Sequence, residues 1–260
     1  MSRVVAVVQA RLGSERLPGK VLRELPADDP AAAGLTVLDW CVERLRGAST
    51  VAEVVVATSD EAADDELAEH CRSREYAVTR GSLRDVLDRV LAAAEAHRAD
   101  TVVRVTADCP LIDPEVVDRV VAQHLARHDD FTANRLPPPH PRTWPIGLDV
   151  EVASIGALRR AGAEATEPAH REHVMPYLYA EPGRFAMSVL ECDLGDHGTV
   201  RWTVDTPGDL AAVGALVARP GVRLGSSWTE LLAEWRSDPT LAALNADVAQ
   251  KSATDVDGRD

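Results

Sequence analysis

Short apolar runs alternate with stretches of helical periodicity over the first half of the chain. Runs of β-branched residues predict buried strands at Arg3–Gln9, Val54–Ala57 and Thr101–Val105, and a shorter strand at Ala77–Thr79. Apolar residues that recur every three or four positions predict helices at Leu35–Leu45 and Ser82–His97, and the polar segment Glu61–Arg74 is predicted as a surface helix. Asp113 as N-cap and Pro114 at the first helical position predict a helix at Pro114–Arg127. This alternation of strand and helix favours an α/β fold in which helices cover both faces of an open parallel sheet.

Proline changes the pattern in the second half. The segment Leu136–Pro145 contains five prolines, so it can be neither a long helix nor a central strand. We expect one domain over residues 1–251, with a proline-rich excursion near 135–180 and a solvated tail at Ser252–Asp260. The remaining predicted elements are strands at Gly147–Val152, Phe185–Glu191 and Val200–Val204, and helices from Thr206 to Ala218 and at Trp228–Trp235.

Composition narrows the possible partners. The 260 residues include 28 Lys and Arg against 42 Asp and Glu, a net charge of −14, and 45% of the chain is apolar. The apolar content excludes global disorder, and the negative charge opposes binding to nucleic acid or to an anionic membrane. No apolar run approaches the ~20 residues that span a bilayer, the first residues lack a signal-peptide layout, and the four cysteines form no C-x-x-C pair. We therefore expect a cytoplasmic protein with reduced thiols.

The loop after the first predicted strand is basic in an otherwise acidic chain. Gln9–Val21 reads QARLGSERLPGKV, which places Arg11, Arg16 and Lys20 among small residues. Glycines let backbone N–H groups approach an anion, and guanidinium groups match phosphate geometry, so the loop is a candidate triphosphate cradle. It is not a Walker motif, because the glycine spacing is one residue too long and Val21 follows Lys20. A solvated basic loop is the alternative.

Two aspartates lie at the ends of predicted strands. Asp108 follows the strand that ends at Val105, and Asp205 follows Val200–Val204. Two carboxylates beside a phosphate loop are suited to Mg²⁺, which completes its coordination with phosphate oxygens and water. Helix capping does not account for Asp205, because Thr206 is already suited to be the N-cap.

Other candidates have simpler alternatives. The segment Arg80–Ser82 with Asp85 either lines a nucleobase pocket or begins a helix with Ser82 as its N-cap. His170 and His173 do not form H-E-x-x-H and are more typical of structural or substrate-contacting residues than of a zinc site. No G-x-S-x-G is present, so an α/β-hydrolase has no support.

A set of ordered motifs resembles the spore-coat polysaccharide cytidylyltransferase-like family, which is related to the enzymes that make CMP-activated acidic sugars. The motifs span Val4 to Leu210 and are VQARLGSERLPGKVL, VVAT, RGS-x-x-DVLDR, VRVTADCPLIDP, GLDVEV, REHVMPY and RWTVDTP-x-DL. The resemblance implies a Rossmann-like, three-layer α/β/α nucleotide-diphospho-sugar transferase fold with a mostly parallel mixed sheet. It also implies a homodimer.

The resemblance further implies roles for individual residues. Arg11, Arg16 and Lys20 are the expected catalytic residues that hold the CTP phosphates, and Asp108 and Asp205 the expected ligands of Mg²⁺. The expected nucleotide-binding residues are Gln9, Ala10, Arg11, Gly13, Ser14, Arg16, Lys20, Thr58, Arg80, Gly81, Ser82, Asp85 and Asp108. The expected substrate-binding residues are Asn134, Gly147, Asp149, Glu151, Arg171, His173 and Arg201.

The resulting hypothesis is a Mg²⁺-dependent cytidylyltransferase that joins CTP to a sugar, with an acidic keto-sugar favoured, in surface polysaccharide or glycoconjugate biosynthesis. A sugar phosphate acceptor or another nucleoside triphosphate is an alternative. So are a glycosyltransferase of related fold, although Asp108-Cys109-Pro110 is not its usual D-x-D motif, and a non-catalytic nucleotide-binding protein. The segment Pro137–Trp144 departs from the family pattern where acceptor choice is expected, so the acceptor's identity does not carry over.

Overall fold

The alternating pattern builds one mixed sheet in the computed structural model, which describes residues 2–249. Within these residues the sheet has seven strands in the order β3-β2-β1-β4-β6-β5-β7. The strands are β1 Val4–Gln9, β2 Glu53–Ser59, β3 Ala77–Gly81, β4 Thr101–Thr106, β5 Phe131–Ala133, β6 Glu151–Ser154 and β7 Met187–Val189. Only β6 runs antiparallel to its neighbours, β4 and β5. The mostly parallel mixed sheet that the resemblance implied is confirmed.

Helices cover both faces of this sheet and complete the three layers. They are α1 Val37–Arg46, α2 Asp65–Ser73, α3 Val86–Ala96, α4 Pro114–Arg127, α5 Ile155–Glu164, α6 Pro168–His173, α7 Pro176–Tyr179, α8 Pro207–Val217, α9 Trp228–Ser237 and α10 Pro239–Ala243. Residues of alternating parity on β1 enter two separate cores: Val4 and Val8 pack with α1, α4, α8 and α9, whereas Val5 and Val7 pack with α3 and α5. The period of two along a strand therefore produces the two buried faces.

Helix starts follow the predicted capping chemistry. Asp113 accepts hydrogen bonds from the N–H groups of Glu115 and Val116, and Pro114 occupies the first turn of α4. Thr206 caps α8 and forms a capping box with Asp209. The prediction that Asp205 is not the cap of this helix is thus confirmed. Helix α3 begins later than predicted, because Asp85 rather than Ser82 is its N-cap.

Three predicted strands are wrong in whole or in part. Val200–Val204 forms no strand; Arg201 makes an isolated bridge with Ile146, and the N–H of Val204 bonds to the carbonyl of Asp108. The apolar alternation there reflects burial of Trp202 and Val204 rather than pairing in the sheet.

The strand predicted at Gly147–Val152 begins only at Glu151. Before Glu151, the backbone bonds to the side chain of Asn134 instead of to a neighbouring strand. The amide nitrogen of Asn134 donates to the carbonyl of Leu148, and its side-chain oxygen accepts from the N–H of Val150. The strand predicted at Phe185–Glu191 shortens to β7, whose partner β5 has three residues and was not predicted.

The proline-rich excursion is shorter than expected. Residues 136–145 form neither helix nor strand, as predicted, but β6 lies inside the sheet and α5 packs on α3. The predicted tail at Ser252–Asp260 lies outside the described residues. In the part of the chain that is described, every helix is too short or too polar to cross a membrane.

Candidate active site

A cavity opens at the carboxyl ends of β1 and β4. Ligands of open α/β sheets bind at this edge. Ten of the residues expected in the site line it: Gln9, Ala10, Arg11, Gly13, Ser14, Arg16, Lys20, Asp108, His173 and Asp205. The loop after β1, the end of β4, the segment before α8 and the end of α6 are therefore brought together.

The backbone of the loop directs Lys20 inward. Gly19 has a φ of 67°, a left-handed conformation that glycine adopts without strain, and it caps a 3₁₀ turn over Lys20–Leu22. The neighbouring Val21 is buried. The loop is also held from outside, because the N–H of Leu12 bonds to the Oδ1 of buried Asp64 at 2.7 Å. The loop is therefore held in place by the turn at Gly19, the burial of Val21 and the hydrogen bond from Leu12 to Asp64.

Lys20 lies between the two predicted metal ligands. Its Nζ is 2.6 Å from Oδ2 of Asp108 and 2.8 Å from Oδ1 of Asp205. Asp205 also pairs with Arg16 at 3.2 Å and with Arg201 at 2.9 Å. The two carboxylates thus converge on a single cation.

The ionisation of this group follows from its charges. Burial would lower the pKa of Lys20, but the charges of Asp108 and Asp205 outweigh burial and raise that pKa above its ordinary 10.5. Burial would raise the pKa of Asp108, but the charge of Lys20 and the hydrogen bond from it lower that pKa below its ordinary 3.8. Lys20 and Asp108 are therefore both charged at neutral pH.

Tertiary contacts bring the second carboxylate to the first. The carbonyl of Asp108 accepts hydrogen bonds from the N–H of Val204 at 2.8 Å and from the hydroxyl of Thr203 at 3.1 Å. These bonds lay the segment before α8 against the end of β4. Arg201, held by Asp209 at 2.8 Å, then fixes Asp205 from behind.

The two aspartates fit a Mg²⁺ ion. They offer hard oxygen ligands that already face one cation position, which Lys20 Nζ occupies. The described residues contain no cluster of three or more potential metal-ligating His, Cys, Asp or Glu side chains. A pair of carboxylates is nevertheless sufficient for Mg²⁺ that is also bound by phosphates and water.

The residues expected around the base do not line the cavity. The guanidinium of Arg80 bonds to the carbonyls of Ser59 and Glu61 at 2.9 and 3.0 Å and pairs with Asp65. The buried Arg89 donates to the carbonyl of Ser82 at 2.6 Å. The remaining three expected residues are Thr58, which is fully buried, Gly81, which packs on Arg89, and Asp85, which caps α3.

Most residues expected to contact the sugar do not line the cavity and bond instead to other side chains or to backbone groups of the protein. Arg171 gives its Nε and Nη2 to Asp85 and its Nη1 to the carbonyl of Gly162. Asp149 pairs with both terminal nitrogens of Arg142, at 2.6 and 3.0 Å. Four further expected residues lie outside the cavity lining. Asn134 and Arg201 make the contacts described above, Glu151 pairs with Arg104, and the fourth residue is Gly147.

Gly147 is required by a close approach of two backbone segments. Its φ is +104°, and a Cβ built on it would lie 2.8 Å from the N of Thr203 and the carbonyl carbon of Trp202. The loop after Pro145 therefore contacts the segment that carries Asp205.

Sequence reasoning missed Arg104 and Thr106, which both line the cavity. The signal for Arg104 was present in the strand TVVRVT, where one arginine interrupts an apolar run. Alternation along β4 places Arg104 and Thr106 on the same face of the sheet. Glu172, inside the range 171–173 that was expected to face the sugar, also lines the cavity.

Comparison with known proteins supports one family. The sequence profile of the cytidylyltransferase family matches residues 5–201. The spore coat polysaccharide biosynthesis protein SpsF of Bacillus subtilis is 32% identical over 248 residues, covering 93% of this chain and 98% of that protein.

The 3-deoxy-manno-octulosonate cytidylyltransferase of Anaeromyxobacter dehalogenans is 31% identical over 252 residues, covering 84% of this chain and 99% of that protein. The solved structure of a cytidylyltransferase from Leptospira borgpetersenii superposes with a TM-score of 0.82 at 30% identity, covering 93% of this chain and 97% of that one.

Proposed function

The chain belongs to the cytidylyltransferase family, and from this premise we propose that it is a Mg²⁺-dependent enzyme that transfers CMP from CTP to a sugar and releases pyrophosphate. Its product would serve the synthesis of a surface polysaccharide or glycoconjugate, as the name of the Bacillus relative suggests. We also propose that it acts in the cytoplasm as a homodimer.

The observation that carries this proposal is the position of Lys20 between Asp108 and Asp205, in the same cavity as Arg11 and Arg16. Phosphoryl and nucleotidyl transfer require mainly that two anions be aligned and that developing charge be neutralised. A cavity with three loop cations next to two carboxylates supplies both functions.

Asp108 and Asp205 would hold the metal ion, which supplies charge stabilisation at the α-phosphate when bound. Lys20 can exchange the two carboxylates for phosphate oxygens, because its ammonium is a point charge on a flexible stem. Arg16, which contacts Asp205 from the loop, remains beside it. Together with Arg11 these groups would stabilise the leaving pyrophosphate.

The acceptor oxygen would attack the α-phosphorus while the bond to the pyrophosphate oxygen breaks. With a keto-sugar acid the anomeric hydroxyl is the nucleophile and its proton needs a base, for which the cavity-lining imidazole of His173 is suited. With a sugar phosphate no base is needed. The acidic keto-sugar is favoured by the relative whose name specifies 3-deoxy-manno-octulosonate.

The first experiment compares thermal shifts with CTP, UTP, ATP and GTP, each with Mg²⁺ and at several concentrations. A ligand at about 100 times its dissociation constant adds roughly 2.7 kcal/mol and should raise the melting temperature by several degrees. We expect a shift with CTP that is lost in Asp108→Asn. Pyrophosphate release with a panel of keto-sugar acids and sugar phosphates then tests the reaction.

Each other outcome selects a different function. A preference for another triphosphate would keep the reaction and change the donor. A shift with nucleotide-sugars alone would favour a glycosyltransferase. CTP binding without pyrophosphate release from any acceptor would favour a non-catalytic nucleotide-binding protein.

A further inference from the structure

Arg104 differs from the other cations around the cavity in its position. Among the described residues it is the cavity-lining arginine outside the loop after β1. It lies on β4, the strand next to β1, and pairs with Glu151 on β6, one strand further from the loop. Arg104 therefore enters the cavity from the sheet, whereas the other cations enter it from the loop.

The guanidinium of Arg104 is held in one orientation. Its Nε and Nη2 donate to Oε1 of Gln9 at 3.1 and 2.6 Å, and its Nη1 donates to Glu151. The side chain is 12% exposed. A guanidinium has five N–H donors, of which these contacts use three, so two remain for a ligand in the cavity.

The other arginines on nearby elements are held by ion pairs and hydrogen bonds away from the cavity. Arg171 is bound to Asp85 and to the carbonyl of Gly162, and Arg142 is bound to Asp149 through both terminal nitrogens. Neither of them lines the cavity. An anionic group of the acceptor would therefore meet Arg104 first.

We propose that Arg104, aligned by Gln9 and Glu151, binds the carboxylate of a 2-keto-sugar acid and so selects acidic acceptors. This inference rests on the proposed nucleotidyl transfer. A planar guanidinium and a carboxylate match in geometry, and such charge-assisted hydrogen bonds are strong and directional.

The chemistry of the acceptor supports this placement. In a 2-keto-sugar acid the carboxylate is attached to the anomeric carbon, which also carries the attacking hydroxyl. A carboxylate bound at Arg104 would keep that hydroxyl, on the adjacent carbon, in the cavity that Asp108 and Lys20 also line. In a sugar 1-phosphate, by contrast, the anion is itself the nucleophile and belongs at the α-phosphorus.

Gln9 acquires a different role from the one expected. It was predicted to bind the nucleotide, but its side-chain oxygen accepts two hydrogen bonds from Arg104. We assign Gln9 and Glu151 as positioning residues for that guanidinium.

The test uses the full chain with CTP and Mg²⁺. The acceptors are 3-deoxy-manno-octulosonate and N-acetylneuraminate, the C1 amide of each, and glucose 1-phosphate. Pyrophosphate release gives kcat and KM, and calorimetry gives the Kd of CTP separately. The variants are Arg104→Gln, Arg104→Lys and the double variant Arg104→Gln/Glu151→Gln, which leaves no unpaired carboxylate. Arg219→Gln is the matched control, because Arg219 pairs with Glu234 and Asp238 and does not line the cavity.

We expect the wild-type protein to use an acid and to discriminate against its amide. Arg104→Gln and the double variant should raise the KM for the acid roughly 10- to 100-fold and lower the acid-to-amide preference by the same factor. The Kd of CTP should not change, Arg104→Lys should recover part of the loss, and Arg219→Gln should behave as wild type. A purely structural role would lower activity on acid and amide equally.

Three results would overturn the inference while leaving the proposed function intact. These are an unchanged acid-to-amide preference in the double variant, use of an acid and its amide with equal efficiency by the wild-type protein, and efficient use of glucose 1-phosphate with no use of either acid. CTP binding with no turnover of any acceptor would overturn both the inference and the proposed reaction. Absence of CTP binding in the wild-type protein would instead overturn the proposed function.

Discussion

The loop after β1 and the wall formed by β4 and α6 line one cavity, yet their surroundings use charge differently. On the loop side, Arg16 and Lys20 meet the carboxylates of Asp108 and Asp205 inside the cavity. On the wall side, most ionic groups are bound to one another away from it, as Arg171 is to Asp85. The loop side therefore presents several charges to a ligand, whereas the wall side presents Arg104 and uses most of its other charges to fix its loops.

This difference explains why the two sides were not equally predictable. The candidate ligand-binding residues of the loop lie within about a dozen positions of one another, so they are visible in the sequence as a motif. The wall comes from distant parts of the chain, so the ion pairs that form in the folded protein decide which of its charged groups can reach a ligand. Substitutions in each region test whether the charges of the loop act on a ligand and those elsewhere stabilise the fold.

The largest expected effect is that of Lys20→Met on turnover. Loss of a charge clamp at the leaving group costs roughly 3 kcal/mol of barrier, about 100-fold in rate. Steady-state pyrophosphate release measures it. Lys20→Arg should retain more activity because it keeps the charge. Lys20→Met with more than about half of the wild-type rate would contradict the assignment of the loop.

The same variant should change metal binding in the absence of nucleotide. Removal of Lys20 leaves two carboxylates facing one vacated cation position, so Mn²⁺ should bind more tightly and raise the melting temperature more than it does for wild type. Calorimetry and thermal shift measure both. Equal Mn²⁺ affinity in the two proteins would show that the carboxylates do not form the metal site.

Behind the segment that carries Asp205, Gly147→Ala should destabilise the fold by about 2–4 kcal/mol, because φ is +104° and the new Cβ would meet backbone atoms at 2.8 Å. Urea unfolding measures this. Gly221→Ala is the matched control, since its φ is +93° but no atom lies within 4 Å of the new Cβ. A cost no larger than that of the control would contradict the close contact with Trp202 and Thr203.

A smaller effect is expected for Asp64→Asn, which removes one of the two oxygens that accept from Leu12 and Ser59. Leaving a buried donor unpaired costs about 1–3 kcal/mol, and CTP should bind more weakly because the loop is less well fixed. Asp118→Asn is the control, because Asp118 accepts hydrogen bonds from the N–H groups of Ser49 and Thr50, and none of these residues lines the cavity. Its variant should lose stability but bind CTP normally.

The smallest effect is expected in the pH dependence of stability near neutrality. The pKa of Asp108 is lowered, so its contribution is present above the ordinary 3.8 and is lost as pH falls through the lowered value. The pKa of Lys20 is raised, so its contribution is present below the ordinary 10.5 and is lost as pH rises through the raised value.

The difference in unfolding free energy between wild type and Asp108→Asn should therefore be constant from about pH 5 to about pH 9. Urea unfolding at a series of pH values measures it. A slope near neutral pH would contradict the ion pair between Lys20 and Asp108.

Local chemistry made much of the fold predictable. The strands β1, β2 and β4 are β-branched runs, and the helices α4 and α8 begin at caps that were read from Asp113 and Thr206. Val200–Val204 misled the prediction because a buried irregular segment and a strand can share the same alternation of apolar residues.

The sequence by itself determined the α/β order, the basic loop with Lys20 and the two aspartates beside it, because each depends on residues close in the chain. Only the tertiary structure decided that Arg104 lines the cavity while Arg171 does not. The physical reason is that the neighbours with which an arginine pairs decide where its guanidinium lies. Those neighbours, Glu151 for one and Asp85 for the other, lie 47 and 86 residues away.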